Sequence, residues 1–187
     1  MIIGAAEPGL TELLADCLSA GGVVIMPCDT IYGIVGPAPA SQDRIRELKG
    51  RGEKSFLQLI AGAGWLPRFG GLDLPEKLAA YWPGPLTLIF PVEQGSVALR
   101  VPADPRLREL LQRLDRPLYS TSVNHSGRPA LWRIADILGQ FEALVDLVVD
   151  AGDLPGRLPS TIVDLSRKPF RVLRQGALTI PPEALVD

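Results

Sequence analysis

The chain has 187 residues, with 19 Lys and Arg against 21 Asp and Glu, a formal charge of −2, and 47% hydrophobic content. That supplies a core for one large domain or two small ones, and the charge balance excludes a protein-wide polybasic field for nucleic acid. Two cysteines and a single histidine exclude a four-ligand Cys/His zinc site, and Cys17 and Cys28 read as reduced thiols without a disulfide. The N-terminus has no basic region leading into a long apolar one, and no window approaches 18 uninterrupted apolar residues, so a cytoplasmic protein without membrane contact is expected.

In chain order, Leu10, Leu13, Leu14, Cys17 and Leu18 recur at helical spacing after Pro8, and Gly21-Gly22 ends the run, which predicts an amphipathic helix. Gly22 to Met26 reads as a buried strand, Gln42 to Lys49 as a helix, Phe56 to Ala61 as a strand, and Pro75 to Trp82 as a helix. Leu86 to Pro91 and Val97 to Val101 read as strands and Pro105 to Leu114 as a helix. Pro117 to Thr121 reads as a strand, Ala130 to Leu138 as a helix, and Leu147 to Asp150, Thr161 to Leu165 and Arg171 to Leu173 as strands. The alternation predicts an α/β sheet, and with no linker, repeat or low-complexity tract the chain reads as one domain over 1–187.

Five segments carry candidate chemistry. Tyr119 to Gly127, YSTSVNHSG, gathers hydroxyls, an amide and the only histidine at a strand exit, a neutral cradle for an anion with backbone N–H groups expected at the Gly127 turn. Pro27 to Gly33, PCDTIYG, presents Asp29, Thr30 and Tyr32 beyond a strand end, where open α/β sheets collect ligands; an ordinary polar turn fits it equally well. Lys49, Arg51 and Lys54 follow a helix through flexible glycines and can converge on a polyphosphate, although cations also suit a helix C-terminus with no ligand at all. The segment is not a Walker A loop. Arg100 interrupts the apolar run of a strand, and a buried arginine needs a partner, for which an amino-acid carboxylate serves as well as Asp or Glu. Ser160, Thr161 and Arg174 add polar groups at further strand ends; taken alone, Arg174 pairs with Asp164 on a neighbouring strand. The turn Tyr81 to Thr87 reads as structural, with Trp82 in the core, and could also shape a pocket wall.

Taken together, PCDTIYG, LKGRG, WPGPLTL, VALRVP, STSVNHSG, STIVD and VLRQG resemble, in order and approximate spacing from Gly21 to Gly176, the YrdC/TsaC family in its short, single-domain form. The resemblance implies an α/β (α+β) fold with a twisted, open, mixed β-sheet, flanking helices and a concave basic cavity. It implies an L-threonylcarbamoyladenylate synthase, a nucleotidyltransferase that uses L-threonine, bicarbonate and ATP with Mg²⁺ and feeds the threonylcarbamoyladenosine modification of tRNA through downstream threonylcarbamoyl-transfer proteins. By matching motif it places Thr30, Tyr32, Arg100, Ser120 and Ser160 at the amino acid, and Lys49, Arg51, Ser55, Ser96, Ser122, Asn124 and Arg174 at ATP, with Lys49 and Arg51 as the catalytic cations and no dedicated protein metal site. His125 is expected to be a hydrogen-bonding loop residue. The chain departs from the family pattern at Gly52, Ile60 and Ala130, and Ile60 falls where many members place a histidine at the threonine pocket. The alternatives are an RNA-binding protein of the same fold, contacting tRNA or double-stranded RNA, and a paralogue acting on a related acyl-adenylate.

Overall fold

The computed structural model describes residues 1–50 and 56–186. Among the described residues ten strands form a single mixed sheet: β1 (Ile2–Gly4), β2 (Val24–Pro27), β3 (Tyr32–Pro37), β4 (Leu57–Leu59), β5 (Leu86–Val92), β6 (Gly95–Arg100), β7 (Leu118–Ser122), β8 (Leu147–Asp150), β9 (Thr161–Asp164) and β10 (Arg171–Arg174). Their spatial order is β1-β8-β2-β3-β7-β4-β6-β5-β9-β10. The β1–β8, β2–β8, β4–β6 and β5–β9 pairs are parallel and the others antiparallel. The described residues also form the α-helices α1 (Leu10–Ser19), α2 (Gln42–Lys49), α3 (Glu76–Ala79), α4 (Pro105–Leu114) and α5 (Ile134–Phe141).

The expected bounds of α2, α4 and β8 are met. In α4 the cause is local: Asp104 accepts a hydrogen bond from the Arg106 N–H, Pro105 opens the first turn, and Leu107, Leu110, Leu111 and Leu114 form one buried stripe. Three expectations are corrected. The helix expected from Ala130 begins only at Ile134, because Arg133 is extended and the Ile134 N–H is taken by the Asp153 carboxylate. The Pro75–Trp82 helix shrinks to α3, and a 3-10 segment, Ala63–Phe69, precedes it. Strands β1 and β3 were not anticipated; in β3, Gly33, Gly36 and Pro37 interrupt the apolar pattern, although all six residues are buried.

Side-chain alternation explains how the layers are distributed. Val24, Met26, Val35, Leu118, Leu147 and Val149 face α1 and α4 on one side of the sheet. Val23, Ile25, Ile34, Tyr119 and Val148 face the opposite side, packed with Ile45 of α2 and with Ile137 and Phe141 of α5. That back layer continues under β5, β6 and β9 with Leu86, Leu88, Phe90, Leu99 and Val163. On the front, α1 and α4 cover the end near β8 and β2 and reach Leu118 of β7 and Leu59 of β4. The rest of the front, from Ser120 and Ser122 of β7 and Leu57 of β4 across β6, β5 and β9, forms the floor of the site.

Candidate functional site

The floor bounds a cavity of about 550 Å³. Leu57 of β4, Ile89 of β5, Ala98 of β6 and Ile162 of β9 make its apolar base, and Thr30, Thr87, Ser120, Ser122 and Ser160 place hydroxyls around it. Arg100 and Arg174 are the charged side chains in its lining; among the described residues no carboxylate lines it.

Arg100 is 2% exposed, and the turn between β2 and β3 holds it. Register pairs Pro27 with Tyr32, and the Cys28 N–H donates to the Ile31 carbonyl at 3.0 Å. Asp29 there adopts φ 54°, a left-handed conformation that Asp tolerates better than most residues. The Asp29 carboxylate receives Arg100 Nη2 at 3.0 Å on one oxygen and the Ala103 N–H at 2.9 Å on the other. Arg100 also donates to the Cys28 carbonyl at 2.9 Å and to Thr30 Oγ1 at 3.1 Å, while its Nε is buried without a partner. The partner expected for this arginine is therefore already supplied in part by Asp29, with the Nε–H left over as a buried donor. Burial pushes the Asp29 carboxyl above its ordinary value despite the attraction of Arg100, which opposes the shift.

On the other side of the cavity Arg174 donates through Nε and Nη2 to the Ser160 carbonyl at 3.1 and 2.8 Å, and to Ser160 Oγ at 3.3 Å. It does not pair with Asp164, since the register sets Asp164 opposite Arg171. Burial and the charge of Arg100 both pull the Arg174 guanidinium below its ordinary value, so the two cations feel each other across the cavity. The buried Thr161 hydroxyl bonds to the Leu178 carbonyl and accepts the N–H groups of Gly176 and Leu178, which clamps the chain just beyond Arg174.

The third wall is β7 and its exit. Lys49 is buried, and its Nζ donates to the Ser122 carbonyl and to Asn124 Oδ1, both at 2.6 Å. Ser122 Oγ donates to the same Asn124 oxygen at 2.6 Å, and Asn124 Nδ2 donates to the carbonyls of His125 and Arg128. Lys49, Ser122 and Asn124 are thus brought together as one unit, with Ser122 at the cavity lining. Ser120 contacts Cys28 Sγ at 3.8 Å, and Gly33 is required between them, since a Cβ there would meet that sulfur at 2.7 Å. Burial pushes the Cys28 thiol up to about 11.

Several sequence expectations change. Two of the backbone amides at the Gly127 turn are used within the protein: the Ser126 N–H donates to the Lys49 carbonyl and the Arg128 N–H to the His125 carbonyl. His125 is exposed and stacks on Phe141 with ring centroids 5.0 Å apart. Tyr32 lines the cavity, but its hydroxyl is committed elsewhere, donating to the Gly152 carbonyl and accepting the Ala151 N–H. Ser96 is exposed at the β5–β6 hairpin, opposite Pro91 and outside the cavity lining. Ile60 is fully buried in the back layer and does not line the cavity. Arg51, Lys54 and Ser55 lie outside the described residues. Thr87 was the residue overlooked; its signal in the sequence is a lone hydroxyl in the apolar run Leu86 to Phe90.

The sequence profile of the Sua5/YciO/YrdC family, described as telomere recombination, matches residues 16–176. The chain belongs to this family. A Mycobacterium leprae member, provisionally named threonylcarbamoyl-AMP synthase, is 32% identical over 188 residues, covering 92% of this chain and 84% of its own. Pyrococcus abyssi threonylcarbamoyl-AMP synthase is 30% identical over 190 residues, covering 90% of this chain and 54% of its own length. The structure of P. abyssi Sua5 complexed with L-threonine aligns at TM-score 0.82 and 27% identity, over 95% of this chain and 58% of that one. This chain thus spans a little over half of the archaeal member and most of the mycobacterial one.

Proposed function

We propose that this Sua5/YciO/YrdC-family chain is an L-threonylcarbamoyladenylate synthase, an enzyme of the nucleotidyltransferase class. The observation that carries the reading is the donor balance of the cavity. Two guanidiniums and a ring of hydroxyls face one space with no carboxylate among its described lining residues, and a buried Arg100 Nε has no protein partner. Such a site favours ligands with several anionic oxygens. The threonine-bound relative of the same fold supports L-threonine as one of them.

The threonine nitrogen attacks the carbon of bicarbonate and water leaves, which yields a carbamate. A carbamate oxygen then attacks the α-phosphorus of ATP, the bond to the β-phosphate oxygen breaks, and pyrophosphate departs. Both partners are anions, so the protein's work is to hold them in line and neutralise their charge, without a covalent enzyme intermediate. Arg100 takes the threonine carboxylate beside Thr30, with Ser120 and Ser160 completing the pocket; the Tyr32 ring packs in the back layer and borders the site without reaching into it. Arg174, Ser122 and Asn124 face the nucleotide, and Arg51 and Ser55 keep the phosphate roles that the family resemblance assigns them; Ser96, at the exposed hairpin, takes no part. Lys49 acts with Arg51 as a catalytic cation, through the wall it ties together.

Among the described residues no group of three or more His, Cys, Asp or Glu side chains is placed to hold a metal. Mg²⁺ accordingly enters as the magnesium complex of ATP, held by the phosphates. The product is a reactive acyl-adenylate and calls for a transfer protein that carries it to tRNA. The test is pyrophosphate release by purified protein given L-threonine, bicarbonate and MgATP. Release that depends on threonine is expected; release without it, or none, overturns the reading. A steeply salt-dependent affinity for RNA without nucleotide binding would instead favour an RNA-binding role.

A further inference from the structure

Thr87 is a buried hydroxyl in a place that suits valine. It sits on β5 between Leu86 and Leu88, which face the back layer, and turns the other way, into the cavity. β-Branched shape fits a strand, but a buried hydroxyl is retained at a cost unless it is hydrogen-bonded. Its partner is Ser160 Oγ at 2.7 Å.

Counting hydrogens shows what this pair does. Two hydroxyls carry two hydrogens, and Arg174 Nη2, which donates to Ser160 Oγ at 3.3 Å, accepts none. One hydrogen lies in the Thr87–Ser160 contact. Among the described residues neither hydroxyl has any other hydrogen-bond partner, so the second hydrogen is left for the cavity that both residues line. The antiparallel register pairs Leu88 with Leu99 and Ile89 with Ala98, and one step further it sets Thr87 beside Arg100 on the same face. The hydroxyl pair therefore lies between the two arginines.

We propose that Thr87 is a specificity-determining residue: with Ser160 it presents one O–H donor to the side-chain oxygen of a hydroxy amino acid whose carboxylate Arg100 takes. This rests on the function proposed above. A branched amino acid of the same shape without that oxygen leaves the donor unanswered, and a site built around a hydrogen bond rejects a ligand that lacks it.

The experiment measures L-threonine and L-valine binding by calorimetry, independently of turnover, for the wild type, Thr87→Val, Thr87→Ser, Ser160→Ala and the Thr87→Val/Ser160→Ala double variant. Expected is a loss in threonine affinity of about tenfold in Thr87→Val with valine unchanged or tighter, and recovery in Thr87→Ser. Ser160→Ala should lose preference too, because the hydroxyl left alone keeps a hydrogen but loses the partner that aims it, and the double variant, with no hydroxyl, should lose the preference at least as fully. The Ser160→Ala and Thr87→Ser arms decide the matter should Thr87→Val fail to fold. Equal weakening of threonine and valine, an unchanged threonine affinity in Thr87→Val, or a double variant that still prefers threonine overturns the proposal. Pyrophosphate release by the wild type reports separately on the synthase reading: threonine-selective binding without release overturns that reading while leaving the role of Thr87 standing, and no threonine binding by the wild type overturns both.

Discussion

Asp29 and Arg100, 71 residues apart in the chain, meet at 3.0 Å with side chains 10% and 2% exposed. The carboxylate holds the guanidinium against the β2–β3 turn, while its buried Nε has no protein partner. Asp29→Ala strips a buried cation of its counter-charge and is expected to cost about 3–5 kcal/mol, measured by urea unfolding. Asp29→Asn keeps the shape and should lose less; a cost below about 1 kcal/mol for the alanine variant would show that solvent already compensates Arg100.

The two sides of the cavity should separate by ligand. Arg100→Ala is expected to weaken threonine binding more than ATP binding, and Lys49→Ala the reverse, because Lys49 organises Ser122 and Asn124. Calorimetry with each ligand checks this, and equal losses of both ligands in both variants would contradict the division of the site.

Gly176→Ala should damage the Arg174 side without touching a ligand group. A Cβ there would sit 2.2 Å from the Pro159 carbonyl oxygen and 2.6 Å from the Ser160 backbone, none of which is a flexible side-chain end. Destabilisation of about 1–3 kcal/mol with weakened ATP binding is expected; wild-type denaturation and affinity would refute the clash.

The carboxylates Asp146 and Asp29 should respond to acid in opposite senses. Arg44 at 2.6 Å and the Val23 N–H hold the Asp146 carboxyl below its ordinary 3.8. Its stabilisation is thus complete above that value and is lost as pH falls through the lower folded-state pKa. Asp29, raised by burial, takes up its proton earlier in the folded state, so its ionisation costs stability as pH rises through its folded-state pKa. Carboxyl NMR titration should find Asp146 below 3.8 and Asp29 above it. Asp146→Asn should be less stable than wild type at neutral pH, with the gap closing in acid.

Cys28, with its thiol pushed up to about 11 and buried against Ser120, should resist iodoacetamide at pH 8 until the protein unfolds. Mass spectrometry of labelled native protein would show otherwise if Cys28 reacted as fast as a small-molecule thiol.

How much was legible from sequence differs between fold and site. Helix α4 carries its own instructions in Asp104, Pro105 and four leucines at helical spacing, and β8 is a short apolar run, so both match their expected bounds. Strand β3 was invisible because its stability comes from pairing with β2 and β7 on either side, which two glycines and a proline give no local hint of. At the site, the ordered motifs identified Thr30, Arg100, Ser120, Ser122, Ser160 and Arg174, and all six line one cavity. Residue types and local periodicity are properties of neighbouring positions, and the chain alone determined those: the amphipathic helices, the apolar strands, and the polar groups gathered at strand ends. Which donors are already spent was decided only by the tertiary structure. Asp29 on Arg100, Lys49 on Asn124, and Thr87 on Ser160 are contacts across 71 to 75 residues, formed when β-pairing and burial bring distant strands together.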